Sequence, residues 1–169
     1  KKSSLSAKII RSISILVIAL AVVFISAFLE KKSAHISAEI KQPVKIGEKI
    51  RVPIFIATGN NTINAAEIYL NFDPNKLQII EVSKNNSFFQ LWIKDEPKFS
   101  NEKGEISFAG GLPQPGFKGK GQVGEITLVI QQSGRNGISF DSKTRILLND
   151  GKGTALPLDL KPIKINSHD

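Results

Sequence analysis

From position 36 onward, apolar and polar residues alternate in short runs broken every 8 to 15 residues by Gly, Pro, Asn or Asp. That is the pattern of half-buried strands joined by turns, not of helices. Ile36, Ala38 and Ile40 mark one face of a first strand, and Ile50, Val52, Ile54 and Ile56 mark one face of a second. Pro53 lacks a backbone donor, so the second strand is expected at a sheet edge or bulged there. In the third, Ala66, Ile68, Leu70 and Phe72 face one way while Ala65, Glu67, Tyr69 and Asn71 face the other, which predicts one core side and one wet side. Asp73-Pro74-Asn75 supplies a turn, with Pro fixing φ and the flanking side chains able to bond nearby N–H groups. Further strands are expected over 77–82, 88–93, around Phe99, at Ile106 with Phe108, over 125–130, at Ile138 with Phe140, and over 145–148 and 156–165. About nine strands exceed the usual size of one sheet and predict two packed sheets, an all-β sandwich over 36–166 with a short tail at 167–169.

The N-terminus follows another rule. Residues 12–29 run for 18 positions without a charge, about 27 Å as a helix against a hydrocarbon layer of ~30 Å. Net charge is +8, and six of the 23 basic residues precede position 33, leaving 17 basic against 14 acidic residues beyond it. The basicity therefore belongs to the leader, residues 1–11, and the positive-inside bias places it in the cytoplasm and the sandwich across the membrane. The expectation is a transmembrane anchor at 12–29 and a tether at 30–35, with a cleaved signal as the shorter-segment alternative. In that case the domain would be secreted. A nearly neutral folded part gives no footprint for nucleic acid.

Candidate chemistry is sparse. Cysteine is absent and the two histidines, His35 and His168, lie at the ends of the exported part, so no acid–base or triad constellation forms in the sequence. Gly151-Lys152-Gly153-Thr154 lacks the spacing of a phosphate loop. Asn149-Asp150-Gly151 fails as a calcium loop, because the first and third ligand positions would fall on Ile146 and Leu148. No catalytic residue, metal ligand or cofactor is expected. Residues 109–121 hold five Gly and two Pro and read either as an exposed loop or as a binding rim, with Gln114, Phe117 and Lys118 as contacts. Phe88-Phe89-Gln90-Leu91-Trp92 reads as a core-filling strand, with Trp92 as the candidate platform should the ligand be a polysaccharide.

Several segments in order carry a resemblance: 44–48 leading to 50–53, the run 65–77 followed by 79–82, then 106–110, 124–128 and 148–154. Together they resemble a bacterial cohesin domain of the cellulosome type, over nearly the whole exported part. The resemblance implies a nine-stranded jelly-roll sandwich related to some carbohydrate-binding modules, and a non-catalytic role as receptor for a calcium-loaded dockerin or comparable module. The calcium in such a complex belongs to the dockerin. It further implies that the partner docks on one exposed sheet, where cohesins carry an Asn and an Asp two residues apart before the F/Y-D-P turn. Here those positions are Ala65 and Glu67, so the amide is lost and the acid is longer. The expected docking face is thus Ala65, Glu67, Tyr69 and Asn71, with Tyr69 as anchor. A carbohydrate-binding module and a structural stalk of a larger surface protein are the alternatives.

Overall fold

The computed structural model describes residues 11, 13–24 and 33–168, and it divides the chain into two units, 1–32 and 33–169. In the first unit residues 13–24 are helical, about 18 Å long. Their apolar side chains are exposed, from Ile13 at 56% to Phe24 at 76%. Among the described residues no helix is long and apolar enough to cross a membrane. The rest of the expected 12–29 span, together with most of the basic leader, lies outside the described residues.

Residues 33–168 contain no helix. Their strands are β1 (Ala34–Ala38), β2 (Val44–Lys45), β3 (Lys49–Ala57), β4 (Ile63–Phe72), β5 (Leu77–Ser83), β6 (Leu91–Trp92), β7 (Lys98–Ser100), β8 (Glu105–Gly111), β9 (Lys120–Ile130), β10 (Gly134–Phe140), β11 (Arg145–Leu148), β12 (Leu158–Leu160) and β13 (Ile163–His168). They form a β-sandwich. One sheet runs β12-β1-β3-β9-β5; the other runs β2-β13-β10-β4-β8-β6, with β11 also on β4 and β7 also on β8. The core lies between them and follows the predicted alternation. Val52, Ile54 and Ile56 of β3 and Ile126 and Leu128 of β9 are at 0% exposure, as is Ile68 of β4. Each such side chain stabilises the fold by roughly 1.5–3 kcal/mol relative to exposure.

Thirteen strands replace the expected nine because short pieces escape a period-two count. The predicted strand 88–93 is reduced to β6, and Pro162, which has no donor for a ladder, splits 156–165 into β12 and β13. At the other end β1 opens at Ala34, inside the expected tether, because buried Ala34 pairs with Leu158. Similarly, β13 runs to His168, into the expected tail. Pro53 lies within an interior strand, yet its rule holds locally. It pairs with Glu125 of β9. On its other side the β1 ladder ends at Ala38↔Ile54, and the β3–β9 register shifts between Ile54 and Phe55.

Two strands are sealed by side-chain amides. Asn101 donates to the carbonyl of Ile79 and accepts from its N–H, both at 2.8 Å, so it occupies the free edge of β5 as a neighbouring strand would. Gln42 does the same for β13, donating to the Lys164 carbonyl at 2.8 Å and accepting from Asn166 N–H at 3.1 Å. The Asp73 turn forms as expected, with Asn75 N–H donating to Asp73 Oδ1 at 2.9 Å.

Candidate functional site

The outer face of the larger sheet is organised in cross-strand rows, since directly paired residues share a face. Ala66, Ile68 and Leu70 of β4 point into the core, which turns Ala65, Glu67, Tyr69 and Asn71 outward, all part-buried. The first row is Leu91–Gly111–Ala65–Leu147, drawn from β6, β8, β4 and β11. The second is Ala109–Glu67–Arg145, the third Lys98–Ser107–Tyr69, and the fourth Ser100–Glu105–Asn71–Ser139. The four expected residues therefore head four successive rows of one surface.

Two ion pairs close around Tyr69. Arg145 reaches Glu67 through both its Nε, 3.0 Å from Oε2, and a terminal nitrogen, 2.8 Å from Oε1, a bidentate fork. The Tyr69 hydroxyl donates to Glu67 Oε2 at 3.4 Å. On the other side is Glu96, a residue that strand periodicity gave no reason to single out. It sits in the 94–97 turn between β6 and β7, only 6% exposed. Ser107 Oγ lies 2.8 and 2.9 Å from its two oxygens and donates to one of them, while Lys98 Nζ lies 3.1 Å from Oε1. Bonding to Glu96 holds the Lys98 ammonium above its ordinary range. Burial raises the Tyr69 phenol above its usual 10.0, helped by the charge and hydrogen bond of Glu67 and the charge of Glu96. Tyr69 is thus a neutral amphipathic ring between two matched charge pairs. A buried acid at position 96 could have been suspected only from its neighbours Lys94 and Lys98.

Below Tyr69 a groove of about 440 Å³ runs between β4, β7 and the β10–β11 turn, walled by Phe99, Asn71, Lys103, Glu105, Asp141 and Lys143. Asp141 accepts from Lys143 N–H at 2.8 Å and from Asn71 Nδ2 at 3.5 Å. The Lys143 N–H bond is the main cause that lowers the Asp141 carboxyl below its ordinary value.

The remaining expected contacts lie elsewhere. Gln114 exchanges two hydrogen bonds of 2.9 Å with Asn149, which also donates to the Pro115 carbonyl at 2.8 Å, so the 109–121 loop is pinned rather than open. Phe117 stacks on Phe88 with ring centroids 4.1 Å apart. Lys118 is exposed beside it. Trp92 is part-buried, meets Phe89 edge-on at 5.4 Å and carries the Lys84 ammonium over its ring at 5.1 Å. His35 lies in β1, its Nδ1 3.1 Å from the Asp159 carbonyl. Among the described residues no three His, Asp or Glu side chains gather as a metal site.

A family model described as "Cohesin domain" matches residues 39–163, most of the chain. The chain belongs to the cohesin family. Cohesin domains are non-catalytic binding modules that bind dockerin modules, typically outside the cell or at its surface. The fold is similar to that of the OlpA cohesin of Clostridium thermocellum, solved with the Doc918 dockerin, at TM-score 0.60 and 15% identity over 80% of this chain and 99% of that one. It is similar also to the third ScaC cohesin of Acetivibrio cellulolyticus, solved with a ScaB dockerin, at TM-score 0.57 and 19% identity over 79% and 99%. A non-cellulosomal cohesin of the archaeon Archaeoglobus fulgidus matches at TM-score 0.55 and 16% identity over 81% and 92%. A search among curated proteins finds no match. In this cohesin the Ala65 and Glu67 positions lie side by side on the outer face, with Glu67 already held by Arg145.

Proposed function

We propose that this cohesin is a membrane-tethered receptor, displayed outside the cell, that holds a dockerin-like protein module on the outer face of its larger sheet. The observation that carries the reading is the exposed, regular surface of β11, β4, β8 and β7, with Tyr69 at its middle and its nearest charges matched. An aromatic ring with a polar tip, ringed by charges, is the composition of an interface anchor. The tether rests on the uncharged 12–29 stretch behind a basic leader and on the uncovered apolar helix at 13–24.

Calorimetric titration of the domain with its dockerin-like partner tests the face. Tyr69→Ala abolishes or strongly weakens binding while the circular dichroism spectrum stays unchanged; unaltered affinity rejects this face. Fractionation of the producing cell tests the tether, which requires the chain to sediment with membranes and to be released by detergent rather than by salt. Polysaccharide recognition through Trp92 draws no support from the geometry, because Phe89 and Lys84 already occupy that ring's surroundings.

A further inference from the structure

In the smaller sheet β1 and β3 part before β3 has run its length. Their ladder ends at Ala38↔Ile54, and the chain then crosses to β2 in the other sheet. From Lys49 to Pro53, β3 is paired with β9 alone. Successive residues of a strand point their backbone N–H and C=O groups to opposite sides. Thr58, directly after β3, donates its N–H to the Gly119 carbonyl on the β9 side at 2.9 Å. Counting back from it, the even positions of β3 bond β9, and Lys49, Arg51 and Pro53 face the track that β1 has left. Pro53 has no N–H to leave bare there. Lys49 and Arg51 each present a donor and an acceptor, and among the described residues no turn or side-chain hydrogen bond reaches them.

A groove of about 500 Å³ lies between residues 39–41 and this stretch of β3. Its apolar lining is Ile40 and Ile50, both packed against the core. Its rim is cationic. Lys41 and Lys49 have no ion-pair partner among the described residues, and Arg51 has Glu125 only at 3.9 Å. The two acids of the groove are engaged, Glu39 with Lys120 Nζ at 2.8 Å and Glu48 with the Lys45 N–H at 2.9 Å.

We propose that this cohesin has a second binding site, where an extended acidic segment of a partner protein adds as a strand antiparallel to β3 in the track vacated by β1. Main-chain hydrogen bonds to Lys49 and Arg51 hold the segment, and side chains decide which segment is held. Partner residues opposite Lys49 and Arg51 share their outward face, so carboxylates there meet an ammonium and a guanidinium. The residue between them turns inward over Ile50 and Ile40, where an aliphatic side chain covers apolar surface and loses no hydrogen bond. The motif read is therefore acid, aliphatic, acid. A second copy of this chain does not fit, because pairing β3 with itself sets these cations against each other. The site lies on the smaller sheet and is independent of the Tyr69 surface.

The test is fluorescence polarisation of labelled peptides titrated with the full chain. A short peptide alternating glutamate and valine binds, and its lysine–valine counterpart does not. N-methylation of the glutamates, whose N–H groups donate to β3, weakens binding about tenfold or more; N-methylation of the valines, whose N–H groups point away, leaves it within about twofold. The double variant Lys49→Glu, Arg51→Glu, with folding verified by circular dichroism, loses the glutamate peptide. In the unaltered chain, hydrogen exchange at the Lys49 and Arg51 amides slows when that peptide is bound. Absence of binding, binding indifferent to which residues are methylated, or protection that maps away from β3 overturns the proposal.

Discussion

The domain carries two aromatic regions that differ in what surrounds each ring. At one end of the sandwich Phe88, Phe89, Trp92 and Phe117 meet one another, with Phe89 5% exposed and Lys84 lying over Trp92. On the larger sheet Tyr69, above the groove that Phe99 walls, makes no ring-on-ring contact among the described residues and stands among charged side chains that are paired with each other. The first region spends its rings on closing the core, and the second keeps its ring at the surface. Availability for a partner is decided by what already touches the ring, not by how large or apolar it is.

This contrast can be broken most directly at Phe89. Truncation to Ala removes a buried ring from the end cluster and should lower the unfolding free energy by about 3–5 kcal/mol, read from urea denaturation followed by circular dichroism. A loss under about 1 kcal/mol would mean that the cluster is ornament. Trp92→Ala, at a part-buried ring, should cost a smaller amount, about 2 kcal/mol, and leave partner affinity within about twofold. Tyr69→Ala should show the reverse, with affinity falling by about 2 kcal/mol in a calorimetric titration and stability changing by less than about 1 kcal/mol. Arg145→Ala should hardly move the denaturation midpoint, because an exposed ion pair contributes ~0–1 kcal/mol.

The smallest effect concerns ionisation. The chain has one tyrosine, so its phenolate absorbance reports Tyr69 alone. Since burial first, and Glu67 second, favour the neutral phenol, the midpoint should lie above 10.0 in the folded domain, and Glu67→Gln should lower it. Between the unfolded and folded values the unfolded chain releases the proton first, so this group's contribution to stability declines as pH rises through that window. A midpoint at or below 10.0 would remove the carboxylates from the account of this face.

Much of this architecture is legible in the residue pattern. The alternation in β3 and β4 named the core correctly, because a strand with one buried side must repeat every two residues. It also named Glu67, Tyr69 and Asn71 as one outward set. What periodicity could not supply was partnership across strands. Glu67 and Arg145 are 78 residues apart, and Glu96 meets Ser107 only because the 94–97 turn brings it back over β8. Strands of two or three residues, such as β2, β6 and β7, are too short to show a period at all. Gln114 looked free in a Gly- and Pro-rich loop, yet Asn149, 35 residues on, holds it. For the segment 12–29, the described residues reach only to 24, so length there is a matter of sequence alone.

The clamp that Asn101 places on Ile79 bears on how copies of the domain can be crowded. An open strand rim invites another chain to zip onto it, and copies of the domain at high concentration would meet rim to rim. With the donor and acceptor of Ile79 already taken by one amide, a neighbour meeting β5 there finds that step of the ladder closed. Removing that amide, as in Asn101→Ala, would bare the Ile79 N–H and carbonyl to any strand that meets this rim.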